Sequence, residues 1–507
     1  MIIKKIIRKS NVLVLSTILL LNLVGISYGS STSEQILFDT HKSEKIEQYI
    51  KEKMSEGKIP GLSIAIVEND EVLYQKGFGK TGNGRSDVTV DSTFITGSIT
   101  KSFTALAARQ LIGQNLMKET DEVKKYIPWF TLSKPDGEAI KVKDLMNHTS
   151  GLLPASGEEA YTYNAKYSLK TLTEEINRSE HTQYLFENDA QYSNLNYIIL
   201  GHLVEVVTGK SYTEYVQGNI LKPLNMSTSG FENSLEGITA GHRIVYGFTM
   251  KTEVPYPSGL VSSNYLVSNI SDLSKYIMLL LNNGYTKSDQ SIFQDNVLYP
   301  IDVSLEPGQP YYDILWNQNN STSQGNYNGF YGAIGSTPNY NSAMLINQEK
   351  RLGIIILTNQ SNPYNIPAIT AQTIANDITD ILLDQTPYVF ESKSQISMWF
   401  FPIFAFVLTI FMLNEIIKTY RILLDTRKSK NFEGIKYIHG MEIFRGIISL
   451  IAYFGFPIVF DNSWRFFVAA NPEVVLPILW IIVINILSVI TTLVIRLKMI
   501  RKLGGIK

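Results

Sequence analysis

Ser98 and Lys101 lie three residues apart in Ile95-Thr96-Gly97-Ser98-Ile99-Thr100-Lys101, at the head of an apolar run. From Ser102 to Ile112 the large residues recur at helical spacing, which predicts a helix. Residues three apart share a helical face, so the hydroxyl and the amine meet. A serine beside a lysine under an apolar body is an arrangement that can activate a nucleophile. Ser55 and Lys58 have the same spacing, but they flank Gly57 and precede Pro60 with no apolar helix behind them. That second pair is read as chance.

A base is also available. Tyr192-Ser193-Asn194 is the only Tyr-x-Asn in the chain, and it stands just before an apolar segment, Leu195 to Val207, that also reads as a helix. A tyrosine between a serine and a lysine can act as general base if the ammonium lowers its pKa. Asn194 can either reach into the same cleft or cap the helix that follows.

With both elements in hand, the chain resembles the penicillin-recognising serine hydrolases of the class C β-lactamase and D-Ala-D-Ala carboxypeptidase family. The resemblance covers roughly residues 45–375. It is carried further by Ile59-Pro60-Gly61-Leu62-Ser63, by Leu145-Met146-Asn147-His148-Thr149-Ser150-Gly151-Leu152 and by Leu221-Lys222-Pro223-Leu224-Asn225-Met226. It implies that Ser98 is the acylated nucleophile, that Lys101 helps strip its proton, and that Tyr192 is general base and then acid to the leaving group. Asn194 would bind the substrate amide oxygen and orient Lys101. The backbone N–H of Ser98 would supply half of an oxyanion hole.

The family's third motif is a lysine or histidine, one residue, then glycine. The matching stretch is Ala333-Ile334-Gly335-Ser336. Ala333 stands where the family has its basic residue. Gly335 is kept, so a substrate-lining strand can still approach closely, and the N–H of Ser336 could complete the oxyanion hole. In the family the basic residue supports binding of a substrate carboxylate. Alanine offers neither donor nor charge. The expectation is weak activity on β-lactams and on terminal D-Ala-D-Ala, and a substrate that continues past the scissile bond as an amide or ester. His148 reads as part of a turn rather than as a catalytic group, and Ser193 as a turn residue.

The elements that must hold these residues follow from the rest of the chain. Gly61 to Val67 and Val72 to Tyr74 flank a polar turn and read as a hairpin; so do Ser342 to Ile346 and Gly353 to Leu357. Helical segments lie between, including Ile270 to Leu281, and Asn317 to Gly329 reads as a loop. Strands at both ends with helices between predict an α+β domain, an α/β sandwich. In it one antiparallel sheet is flanked by helices, beside an all-α lobe.

The chain has 507 residues, a net charge of −1, no cysteine and six histidines without metal-ligand spacing. Thiol chemistry and disulfides are excluded, no metal or cofactor is expected, and the charge gives no argument for nucleic acid as a partner. Residues 1–29 read as a signal peptide: Lys4, Lys5, Arg8 and Lys9, then an apolar stretch, then Ser27-Tyr28-Gly29. The hydrolase domain is expected over 30–385. Residues 386–507 read as a membrane domain with spans at about 396–417, 442–460 and 474–495. Arg421, Arg427, Lys428, Lys430 and Lys436 lie between the first two spans. Arg496, Lys498, Arg501, Lys502 and Lys507 follow the third, so the positive-inside rule puts residues 30–395 outside the membrane. Asn485 and Ser488 could make interhelical hydrogen bonds, and the spans could be an anchor, a homodimer interface or a route for handing over substrate.

This architecture is similar to that of membrane-bound peptidases that mature nonribosomal peptide prodrugs, of the colibactin-maturation type, which remove an acylated D-asparagine cap. The function expected is an exported, membrane-anchored serine hydrolase acting through an acyl-enzyme, a D-stereoselective peptidase or amidase on a small peptide or amide. A penicillin-binding carboxypeptidase or β-lactamase, an esterase, and a non-catalytic binding or sensor protein are the alternatives.

Overall fold

A computed structural model describes residues 38–82, 86–152, 167–178, 192–231, 237–245, 248–252, 256–284, 329–361 and 369–387, positions scattered from 403 to 421, and 472–504. In chain order, α1 (Thr40–Gly57) leads into the strands β1 (Gly61–Glu68), β2 (Glu71–Gly79) and β3 (Phe94–Ile95). A single 3-10 turn, Gly97–Ile99, then opens α2 (Thr100–Gly113). The helices α3 (Val142–Met146), α4 (Leu169–Arg178), α5 (Asn194–Thr208) and α6 (Tyr212–Val216) follow. The strands β4 (His242–Val245), β5 (Phe248–Lys251) and β6 (Val267–Ser268) precede α7 (Ile270–Leu281). Then come β7 (Tyr331–Ser336), β8 (Asn341–Asn347), β9 (Leu352–Thr358), β10 (Gln360–Ser361), α8 (Ala371–Leu382) and α9 (Pro472–Gly504).

Both expected hairpins form, and they share one sheet. Its order is β2-β1-β9-β8-β7, antiparallel throughout. The two ends of the domain meet at the β1–β9 pair, where Leu62 is opposite Thr358 and Glu68 opposite Leu352. α8 packs on β8 and β9, and α7 packs on β1 and β9. Every residue of β1 and β9 is buried. That pattern belongs to strands covered on both faces, and it explains why they read as continuous apolar runs rather than as alternation.

The expected helix over Ser102 to Ile112 is α2, buried along almost its whole length. A helix this enclosed must pair its hydroxyls. Thr104 Oγ1 donates to Ser262 O at 2.6 Å and pairs with Tyr212 OH at 2.7 Å, and Ser102 Oγ pairs with Tyr276 OH at 2.7 Å. Phe103 stacks on Tyr276 at 4.1 Å between ring centres. These contacts tie α2 to α6, to α7 and to the turn at Ser262, so the helix that carries the serine–lysine pair is held from three directions.

The membrane segments stand differently. Among the described residues no helix is long and apolar enough to cross a membrane. The three expected spans and the C-terminal transmembrane helices are therefore not shown. The third expected span falls inside α9, which runs 33 residues with Pro477 in it. Trp480 Nε1 donates to Thr409 Oγ1 at 3.1 Å, a contact between the first and third expected segments. The signal peptide over 1–29, the span over 442–460 and nearly all of the 317–329 loop lie outside the described residues.

Candidate active site

Ser98 is the middle residue of the 3-10 turn that opens α2, and Lys101 sits one turn on. Lys101 Nζ donates to Ser98 Oγ at 3.0 Å, as the three-residue spacing required. Tyr192 OH donates to Ser98 Oγ at 2.7 Å across 94 residues of chain. Lys101 Nζ also donates to Asn194 Oδ1 at 2.7 Å and lies 5.0 Å from the centre of the Tyr192 ring. The four residues singled out in the sequence therefore converge on one oxygen and one nitrogen. By contrast, Ser55 and Lys58 are both exposed at the C-terminal end of α1.

The local cause at Tyr192 is a cap. Ser193, not Asn194, is the N-cap of α5: its hydroxyl accepts from Leu195 N at 3.2 Å. Because the serine satisfies an orphan amide of the helix end, Asn194 can turn its carboxamide to Lys101.

Lys101 is fully buried, and burial holds its amine well below the ordinary lysine range. None of its four hydrogen-bond partners is a carboxylate: they are Ser98 Oγ, Asn194 Oδ1, Ser263 O and Asn264 Oδ1. An amine in this setting gives up its proton more readily than an ordinary lysine does, which suits it to proton transfer.

Gly335 and Gly97 decide how closely β7 approaches the serine. Gly97 has φ +57, and a Cβ on it would lie 2.5 Å from Ser336 N. A Cβ on Gly335 would lie 2.0 Å from Thr96 O and 2.3 Å from Ser342 Oγ. Ser342 Oγ donates to Thr96 O at 2.7 Å and pins the two segments together. The end of β7, with Ser336 N, is thus brought close against the Gly97 segment that precedes Ser98. Gly335→Ala is expected to destabilise the domain by about 1–3 kcal/mol. It should also lower kcat/KM by roughly 100-fold, measured alongside a thermal melt, because the strand has to back away from Ser98.

Ala333 is fully buried on the same strand, opposite Met344 in the β7–β8 register. It contributes packing and no polar contact. Ser336, at the strand's end, is exposed.

Two residues enter the site that the motifs did not place there. Asn264 Oδ1 accepts from Ser98 Oγ at 3.1 Å and from Lys101 Nζ at 3.0 Å. His148 lies behind Tyr192 with ring centres 4.6 Å apart, and is fully buried. Its Nδ1 accepts from Ser193 N at 3.0 Å and pairs with Asn196 Nδ2 at 2.9 Å. Burial, with the nearby Lys101 charge, pushes the imidazole well below its usual pKa, so it stays neutral. His148 does belong to a turn, with φ +57, but the turn aims its ring at the segment that carries Tyr192. Its ring thus backs Tyr192 and holds Ser193 N. Its left-handed backbone is the strain that a rigid support tolerates. The Ser262-Ser263-Asn264 run reads only as a polar turn, and no periodicity in the sequence marks it.

Comparison with known proteins identifies the family and the fold. The beta-lactamase family model matches residues 46–376. Protein flp of Staphylococcus aureus (strain N315) is 27% identical over 326 residues, 63% of this chain and 64% of that protein. The chain therefore spans less than two thirds of that relative's length. Teichoic acid D-alanine hydrolase of Staphylococcus aureus (strain MRSA252) is 32% identical over 192 residues, 38% of this chain and 44% of that protein. The octameric penicillin-binding protein homologue from Pyrococcus abyssi superposes with a TM-score of 0.59 at 27% identity, covering 68% of this chain and 78% of the other. The family match runs from within α1 to within α8 and so takes in the sheet, the serine–lysine helix and the strand beside it; the chain belongs to the beta-lactamase family, whose members are serine hydrolases.

Proposed function

We infer that this protein is an exported, membrane-anchored hydrolase that works through an acyl-enzyme on Ser98, and that its substrate is an amide or peptide with a D-configured residue on the acyl side. The observation that carries the chemistry is the pair of donors on one oxygen: Tyr192 OH at 2.7 Å and Lys101 Nζ at 3.0 Å from Ser98 Oγ. In the first half-reaction Oγ bonds to the substrate carbonyl carbon and its proton passes to the Tyr192–Lys101 pair. The carbonyl oxygen becomes an oxyanion between the N–H groups of Ser98 and Ser336. Collapse breaks the bond to the leaving group, which takes the proton from Tyr192. In the second half-reaction a water molecule gives its proton to the same pair as it attacks the acyl carbon. Ser98 leaves with that proton.

Ala333 supports the substrate side of this reading. A buried methyl group cannot clamp a carboxylate, so the site favours molecules that continue beyond the scissile bond. The D preference is supported by the 32% identical relative named as a D-alanine hydrolase. The uncharged stretches 396–413 and 474–495, with basic segments after each, support anchoring with the catalytic domain outside. Maturation of an exported peptide prodrug or antibiotic is the role that combines these features.

The test uses full-length protein and intact-mass detection with N-acyl-D-amino amides, their L isomers and a fluorescent penicillin. The expected result is an adduct on Ser98 from the D amides, formed at least about ten times faster than from the L isomers. An adduct from penicillin with none from any amide would move the protein to the penicillin-binding carboxypeptidases. No adduct from any probe on folded protein would sink the acyl-enzyme.

A further inference from the structure

His148 is a buried imidazole that no step of the acyl transfer uses, and its contacts lead to Tyr192. Its protonation can be read from its neighbours. Ser150 Oγ accepts from Leu152 N at 3.3 Å and donates its own hydrogen to Asn196 Oδ1. That contact orients the Asn196 carboxamide, with Nδ2 toward His148 Nδ1 at 2.9 Å. Ser193 N donates to the same ring nitrogen at 3.0 Å. Two donors face Nδ1, so Nδ1 carries the lone pair and the ring proton sits on Nε2. Burial, and then the Lys101 charge, keep the ring neutral, as an acceptor must be.

The acceptor acts on the right peptide. Ser193 N belongs to the planar peptide bond that joins Tyr192 to Ser193, so a fixed partner for it sets the plane from which Tyr192 departs. The imidazole also lies against the tyrosine ring, with centres 4.6 Å apart and 33° between the planes. One side chain therefore grips Tyr192 at its backbone and at its ring. The hydroxyl at the far end of that ring reaches Ser98 Oγ at 2.7 Å. A displacement of about 1 Å at such a contact can cost on the order of 100-fold in rate.

The grip is itself held. The turn that carries His148 is closed by Thr149 N donating to Asp144 O at 2.9 Å and by Thr149 Oγ1 donating to Asp144 Oδ1 at 3.1 Å. Tyr197 OH donates to Met146 O at 3.1 Å and ties the turn to α5. Tyr197 also sets its ring 5.2 Å from the imidazole.

We propose that His148 is a positioning residue for acyl transfer: by accepting from Ser193 N and backing the tyrosine ring, it keeps the Tyr192 hydroxyl on Ser98. The proposal rests on the acyl-enzyme reading above, with Tyr192 as its acid and base.

The experiment measures kcat and KM on an N-acyl-D-amino amide and on the matching p-nitrophenyl ester, using full-length protein. The variants are His148→Gly, His148→Asn, Tyr192→Phe and the two double variants, each with a thermal melt. Glycine deletes ring and acceptor while keeping the φ of +57 free of strain. Asparagine also tolerates that backbone and returns an acceptor oxygen to the site. His148→Gly should lower kcat on the amide about 10- to 100-fold with KM nearly unchanged, and on the ester less than about 5-fold. His148→Asn should recover at least about 3-fold of the amide loss. In the Tyr192→Phe background either substitution should cost no more than about 2-fold, because no hydroxyl is left to place. Equal losses with and without the tyrosine hydroxyl, equal losses on amide and ester, or an asparagine no better than glycine overturns the proposal. If the glycine variant does not fold, asparagine carries the cycle. Its amide loss should then be about 3-fold or more in the parent and absent beside Tyr192→Phe, and any other pattern overturns the proposal. A parent that forms no adduct on Ser98 instead fails the acyl-enzyme reading, so the two failures are distinct.

Discussion

Ser98→Ala is expected to abolish the acyl adduct and to lower turnover of any accepted amide by roughly 10⁴- to 10⁶-fold, the size of loss found when the nucleophile of a serine–base unit is removed. The structure makes this a clean experiment. Ser98 lies in a one-turn 3-10 helix whose backbone is set by Gly97 and by the start of α2, so alanine keeps the geometry. The lost contacts are the hydroxyl's bonds to Tyr192, Lys101 and Asn264. Lys101 retains three carbonyl acceptors, so no buried charge is stranded. Stability should change by no more than about 1–2 kcal/mol in a thermal melt. A variant that stays folded and still hydrolyses the substrate at even a hundredth of the parental rate would show that Ser98 is not the nucleophile.

Tyr192→Phe removes a single oxygen atom. The ring keeps its place against His148 at 4.6 Å and beneath Lys101 at 5.0 Å. What disappears is the 2.7 Å contact to Ser98 Oγ and the route by which a proton reaches the leaving group. The expected loss is about 10²- to 10⁴-fold in kcat with KM nearly unchanged, because proton transfer contributes to the transition state and not to ground-state binding. The loss should be greatest for substrates with poor leaving groups: amides should suffer more than activated p-nitrophenyl esters, whose departure needs little help from an acid. A loss that appears in KM alone would make Tyr192 a binding residue. Together with the serine variant, this separates the nucleophile from the group that moves its proton.

Much of the site was legible before any fold was known, and the reason is geometric. A serine and a lysine three apart on an apolar helix must share a face, and the 3.0 Å contact between them follows from helical periodicity alone. The Tyr192-Ser193-Asn194 segment could be placed at the mouth of a helix because the apolar run behind it is long and regular. What the segment could not reveal was the division of labour within it. A serine and an asparagine are both good N-caps, and only the hydrogen bond to Leu195 N shows that the serine takes the cap and leaves the asparagine to the lysine. The ring of His148 could not be placed from the sequence for a similar reason. A turn sequence gives the bend but not where the ring points, and here it points beneath the tyrosine.

The sequence by itself determined what lies close along the chain. That includes the serine–lysine pair, the two hairpins, the buried helix and the absence of a basic residue at position 333. It also carries the basic N-terminal segment and the apolar stretches on which the proposed export and anchoring rest, because those depend on composition and not on packing. Tertiary structure alone decided what lies far apart along it. It set the sheet order that puts β7 beside Ser98, the approach that only Gly97 and Gly335 permit, and the arrival of Asn264 from 166 residues away to accept the serine's hydrogen. Short-range contacts are fixed by backbone periodicity, whereas a contact across 166 residues exists only once the core between its ends has been packed.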